Sequence, residues 1–158
     1  MGKLNDVRID APSCNEYLEN MSPAYKSGFL GHKKFYRLKP EAVEKLKEYS
    51  QEYTFVIIFA DWCGDARKAV PVMALLEEEI GIKVPSLGGM TKPPYGSDKF
   101  WAVPPSPEEV DKFEITSSPT ILIFNKEGEE IGRIKTRAKM TPTLEEEIVK
   151  IIEDSKEK

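Results

Sequence analysis

The stretch that most constrains this chain is Phe55-Val56-Ile57-Ile58-Phe59-Ala60, followed at once by Asp61-Trp62-Cys63-Gly64-Asp65-Ala66. Residues 54–60 combine aromatic and β-branched side chains without polar alternation, the pattern of a strand buried on both faces. Such a strand needs cover on each side, and helices packed on a sheet are the natural cover. After Cys63, the residues Ala69, Val70, Met73, Leu76 and Ile80 recur at helical spacing as far as Gly81. Glycine at that point suits a helix end. Pro71 falls inside this helix and predicts a kink, because proline removes an amide donor and crowds the preceding turn. The junction therefore reads as a strand running into a helix, with a cysteine on the turn between them.

The remaining pattern fills out a mixed α/β order. Residues 1–39 form a leader of weak pattern, with a short helix expected over 13–21 and Ser13 as its cap. Pro40 stands where a first helical residue belongs. Ala42, Val43, Leu46, Tyr49 and Tyr53 follow on one face and predict an amphipathic helix to about residue 51. Residues 82–84 predict a short strand. Residues 85–107 hold six of the twelve prolines together with Gly88, Gly89 and Gly96, and predict an irregular insertion. One or two helical turns are expected over 108–113, and a second buried strand over 120–124. The turn Asn125-Lys126-Glu127-Gly128 leads into a returning strand over 130–135. A final helix opens at Thr141-Pro142 and turns Leu144, Ile148, Ile151 and Ile152 inward.

Composition removes several function classes. A formal net charge of −4 over 158 residues, with Lys and Glu interleaved, lacks the basic field of a nucleic-acid binder. No apolar run is long enough to cross a bilayer. The first residues show no apolar signal core, so the expected setting is reducing and cytoplasmic. Two cysteines, Cys14 and Cys63, are too few for a disulfide framework, and with the single His32 they lack zinc spacing.

The chemistry centres on Cys63. At a helix N-terminus, free amides and the helix dipole favour a thiolate, the form that attacks disulfide sulfur. Asp65 opposes this, since its carboxylate repels a thiolate even if it caps the helix. A second candidate feature is Ser117-Ser118-Pro119-Thr120, which enters the strand Ile121-Leu122-Ile123-Phe124. Taken alone, Ser-Pro before a strand is only a turn. Cys14, in Pro12-Ser13-Cys14-Asn15, has surroundings that recommend no more than a structural thiol. Tyr95, Phe100 and Trp101 in the insertion are candidates for partner recognition, the alternative being that they tuck against the sheet.

Trp62-Cys63-Gly64-Asp65 at a strand-to-helix junction, Pro71 eight residues after Cys63, and the Ser118-Pro119 loop together resemble the thioredoxin superfamily over roughly residues 40–152. That resemblance implies a thioredoxin fold: a central mixed β-sheet flanked by helices, with an N-terminal helical extension (residues 1–39) packed on a thioredoxin-like domain (residues 40–158) that carries the Pro-rich insertion. It implies a protein-disulfide oxidoreductase in which Cys63 attacks and position 66 resolves. A cis bond is expected at Ser118–Pro119, with that loop bordering the cysteine. Trp62, Gly64, Asp65, Ser118, Pro119 and Arg137 become the expected substrate-binding residues. Arg137 enters by counting back from the last helix to the loop where the family often has glycine. No metal or organic cofactor is implied. The implied partners are protein substrates with disulfides and a thioredoxin-reductase-type electron donor, acting on a monomer, with no nucleic acid or membrane.

Two positions depart from the family. Ile57 stands where ordinary thioredoxins bury an aspartate that moves protons. Ala66 stands where the resolving cysteine belongs, so the usual intramolecular disulfide cannot close. One reading is an engineered Cys→Ala change that traps mixed disulfides in a dithiol enzyme. The alternatives are a natural monothiol protein, including a glutathione-dependent one, and a binding module without turnover.

Overall fold

The computed structural model describes residues 2–157; Met1 and Lys158, the outer limits of the expected extension and domain, lie outside the described residues. Its central sheet contains β1 (Thr54–Ile58), β2 (Ser86–Leu87), β3 (Thr120–Phe124) and β4 (Glu130–Lys135), in the order β2-β1-β3-β4. β1 runs parallel to β2 and antiparallel to β3, with Ile57 opposite Ile121 and Ile58 opposite Thr120. β4 returns antiparallel along β3. This is the expected mixed sheet flanked by helices.

The helices are α1 (Cys14–Glu19), α2 (Pro23–Phe35), α3 (Pro40–Tyr49), α4 (Gly64–Ile80), α5 (Glu109–Lys112) and α6 (Leu144–Lys156). Alternation along β1 sorts the core into two layers. Phe55, Ile57 and Phe59 join Leu46 of α3, Val70 and Met73 of α4, and Ile148 and Ile152 of α6. Val56, Ile58 and Ala60 face the other way, toward Leu87, Met90, Val110 and Phe113. The long helices thus share one layer. The second layer is closed by the one-turn α5, the insertion and Ala11, in place of a long helix.

Helix α2 has no counterpart in the sequence reading. Only Phe29 on it is buried, so it carries almost no apolar stripe, although Pro23 at its first turn is the same start signal as Pro40. It packs closely where Gly28 meets Arg67 of α4: a Cβ on Gly28 would lie 2.7 Å from the Arg67 Cδ. Helix α1 is capped by Ser13, as expected, whose side chain accepts from the Glu16 amide. Glu77 of α4 reinforces it, accepting from the Cys14 and Asn15 amides at 2.8 and 2.9 Å.

Three boundaries move. The strand expected over 82–84 forms at Ser86–Leu87 instead, because the Val84 amide donates to Glu77 at 2.7 Å and the ladder starts where the Ile57 amide donates to the Pro85 carbonyl. The last helix begins at Leu144, since Thr143 is its cap and accepts from the Glu146 amide. β1 ends at Ile58, although the Phe59 amide still donates to the Leu87 carbonyl at 3.0 Å. The leader also closes the sheet edge: the Ser86 amide donates to the Pro12 carbonyl at 2.9 Å, which occupies an edge otherwise open to another strand.

Candidate active site

Cys63 is the N-cap residue of α4, with extended backbone (φ −82°, ψ 127°) and a partly exposed side chain. Its amide donates back to the Ala60 carbonyl at 3.1 Å, and its own carbonyl accepts from the Arg67 amide at 3.2 Å, opening the helix. The sulfur is thereby set at the end where amides lack intrahelical partners. The Cys63 thiol donates to the Ser118 carbonyl, with 3.4 Å between sulfur and oxygen. The Ser118 hydroxyl accepts from the Ala60 amide at 2.9 Å, which binds the loop to the end of β1. The Ser118–Pro119 bond is cis. Cysteine turn and proline loop therefore lie side by side at the carboxyl end of β1, where open α/β sheets hold their sites.

The flanking residues have distinct duties. Trp62 is exposed on one face, while its indole N–H donates to the Met90 carbonyl at 3.1 Å and Lys92 Nζ sits 5.2 Å from its ring centre. That contact fastens the insertion to the cysteine turn. Gly64 is exposed and Asp65 half-buried at the start of α4. Ala66 is 0 % exposed and points into the core layer of α4. Ile57, at the position of the family's buried aspartate, is an ordinary core residue.

Arg137 is exposed and makes no hydrogen bond to Cys63 or Asp65 among the described residues. The residue that meets the proline loop is its neighbour Thr136, whose amide donates to the Pro119 carbonyl at 2.7 Å. Thr136 also takes the left-handed backbone (φ 71°) that glycine accepts more readily. The count back from the last helix lands one residue beyond this contact, because the helix signal does not fix the length of the loop between β4 and α6. Arg137 instead lines a shallow groove with Asp65, Lys68 and His32.

Sequence reasoning missed two contributors. Tyr17 of α1 donates its hydroxyl to the Asp61 carboxylate at 2.7 Å, and the Gly89 amide adds a longer contact at 3.3 Å. Asp61 thus joins leader, cysteine turn and insertion. Burial first, then Asp61, pushes the Tyr17 hydroxyl well above the ordinary tyrosine range, so it remains a donor. The other is Arg67, whose guanidinium Nη2 lies 3.6 Å from where a Cβ on Gly64 would be. Its position one helical turn after Cys63 was the available signal. Two aromatics of the insertion divide from the third: Trp101 is half-buried and donates to the Ile115 carbonyl at 2.9 Å, while Tyr95 and Phe100 are exposed. Cys14 is 0 % exposed and donates to the Val70 carbonyl at 3.3 Å, so it is closed to exchange with a substrate. No cluster of three metal-ligating side chains occurs among the described residues, and no helix there is long and apolar enough to cross a membrane.

A mixed sheet, a cysteine capping the helix after its central strand and a cis-proline loop beside the sulfur match the thioredoxin-like fold that the sequence resemblance implies. Residues 11–87 match the family described as Thioredoxin, a stretch that starts inside the leader and includes Cys63. A 78-residue segment is 30% identical to a thioredoxin of Chlamydia muridarum, covering 49% of this chain and 63% of that protein. The chain thus matches less than two thirds of that relative's length. A protein of unknown function from Pseudomonas aeruginosa shares the fold with a TM-score of 0.68 at 11% identity, over 98% of this chain and 99% of the other. An HIV epitope scaffold aligns with a TM-score of 0.61 at 11% identity, over 92% and 94% of the two chains. The family match over residues 11–87 and the Chlamydia muridarum relative support membership of the thioredoxin superfamily.

Proposed function

We propose that this thioredoxin-type protein exchanges thiols with protein disulfides through Cys63. The observation that carries the reading is the partly exposed Cys63 sulfur, capping α4 and 3.4 Å from the Ser118 carbonyl oxygen beside Pro119. The Cys63 thiolate attacks one sulfur of a substrate disulfide. That S–S bond breaks, a Cys63–substrate disulfide forms, and the second substrate sulfur leaves as a thiolate that takes a proton from solvent. An extended substrate segment lies along the backbone near Pro119, in the manner of strand addition.

Ala66 sets the outcome. It offers no thiol to break the mixed disulfide, so the chain holds its substrate instead of releasing it. With cysteine at 66 the same site would release reduced substrate and be recharged by a thioredoxin-reductase-type donor in a reducing cytoplasm. The full burial of Ala66 in a packed layer also suits a second reading, a natural monothiol or binding protein.

Insulin reduction with dithiothreitol tests the reading. Incubated with insulin without added reductant, the chain with Ala66 should accumulate a mixed disulfide, seen by intact mass and absent in Cys63→Ser. The Ala66→Cys form should reduce insulin catalytically. Equal catalytic rates for the two forms would overturn the assigned role of position 66, and absence of any Cys63 adduct would overturn the exchange reading itself.

A further inference from the structure

A groove of about 750 Å³ runs between α2 and the first turn of α4, immediately beside the Cys63 turn. Its floor on α2 is Gly28 and Gly31, and Phe35 stands at its edge with 77% of its surface exposed. Arg67 is exposed, with its stem lying across Gly28 and its guanidinium next to Gly64. Lys68 lines the same wall. The adjoining groove shares Lys68 and adds Arg137. None of these three cations is ion-paired among the described residues, all of whose ion pairs involve other side chains. Among the described residues, Asp65 is the one carboxylate lining either groove. A chain whose formal net charge is −4 therefore keeps a local excess of positive charge along the grooves that flank its cysteine turn.

Resting on the exchange reading, we infer that this groove selects acidic polypeptide substrates, binding carboxylates that flank the substrate disulfide and an apolar residue against Phe35. Complementary charge at an exposed site acts mainly on encounter and orientation. Contact of the Arg67 stem with Gly28 removes part of that side chain's freedom before a carboxylate arrives. The redox step is unchanged: the Cys63–substrate S–S bond forms as the substrate's own S–S bond breaks.

The test uses two peptides, each with one cysteine activated as a 2-pyridyl disulfide, flanked by Glu in one and by Lys in the other. Attack by the Cys63 thiolate forms the Cys63–peptide disulfide and expels 2-thiopyridone, whose absorbance gives the rate. At low ionic strength the Glu peptide should react about tenfold faster than the Lys peptide, with the ratio falling toward one at roughly 0.5 M salt. Arg67→Ala combined with Lys68→Ala should abolish the ratio. Lys83→Ala combined with Lys126→Ala removes the same charge from positions beyond the opposite end of α4 and in the β3–β4 turn, and should preserve it. Equal rates for the two peptides, or equal loss in both double variants, would overturn the groove assignment while leaving exchange at Cys63 intact. No thiopyridone release from either peptide would overturn the exchange reading, and the substrate preference with it.

Discussion

The Tyr17 hydroxyl lies 2.7 and 2.9 Å from the two carboxylate oxygens of Asp61, two residues ahead of Cys63. A residue of the first helix therefore holds the turn that presents the reactive sulfur. There is no spare room at the contact: a Cβ on Gly88 would collide with the Tyr17 hydroxyl.

Tyr17→Phe should destabilise the fold by about 1.5–3 kcal/mol, the usual worth of a hydrogen bond to a charged group. Gly88→Ala should also destabilise it, by about 1–3 kcal/mol, through overpacking at the same place. Urea denaturation gives both values. If Tyr17→Phe leaves the midpoint unchanged, Asp61 finds equivalent partners without Tyr17.

Oxidation of the Ala66→Cys form should close a disulfide between Cys63 and the introduced thiol. Under denaturing, non-reducing conditions, thiol titration should then find Cys14 alone. A mixture of species linking Cys14 to either partner would mean that the core layer around α1 opens far more readily than its burial implies.

Burial pushes the Cys14 thiol up to about 12 from its ordinary 9.0. Iodoacetamide at about pH 8 should label Cys63 and spare Cys14 until the protein is unfolded. The linked stability follows the same sign. The folded state keeps its proton to higher pH than the unfolded chain does, so this contribution is complete below pH 9.0 and is lost as pH rises toward about 12. Replacing Cys14 with alanine should flatten that alkaline loss in a thermal melt series, whatever it does to stability at neutral pH.

Glu109 is 1% exposed and accepts from the Arg8 amide, Nε and Nη2 at 2.9, 3.1 and 2.9 Å. Burial raises its carboxyl, but the Arg8 bonds outweigh that and hold it below the ordinary 4.5. Its stabilisation is present above pH 4.5 and is lost as pH falls through the depressed value. Arg8→Ala should cost about 2–3 kcal/mol at neutral pH, less than a fully buried pair because Arg8 itself is partly exposed. The variant should also lose the acid-sensitive part of the melting curve. Equal pH profiles for the two proteins would remove Glu109 from the account of acid stability.

Local pattern alone determined the elements whose signals lie close together in the chain. The unbroken apolar run of β1, the helical stripe after Cys63 and Gly81 at its end needed no distant partner to be read. Gly81 takes the left-handed backbone at φ 81° and caps α4, as a glycine after a helical stripe should. The same is true of Cys63 as the reactive candidate, because sulfur placement at a helix N-terminus follows from the strand-to-helix switch itself. Helix α2 was illegible for the opposite reason: it docks through a glycine and one phenylalanine, and neither makes a periodic stripe. Glu77 carries no signal in the sequence and is buried, because the amides that satisfy it belong to Cys14, Asn15 and Val84. Tyr17 with Asp61, Thr136 with Pro119, and Arg67 over Gly28 are likewise products of chain crossings. A pattern along one segment records which face is buried, but a hydrogen bond needs a position in space, and only packing of the leader, the insertion and the β4–α6 loop around the cysteine turn supplies it.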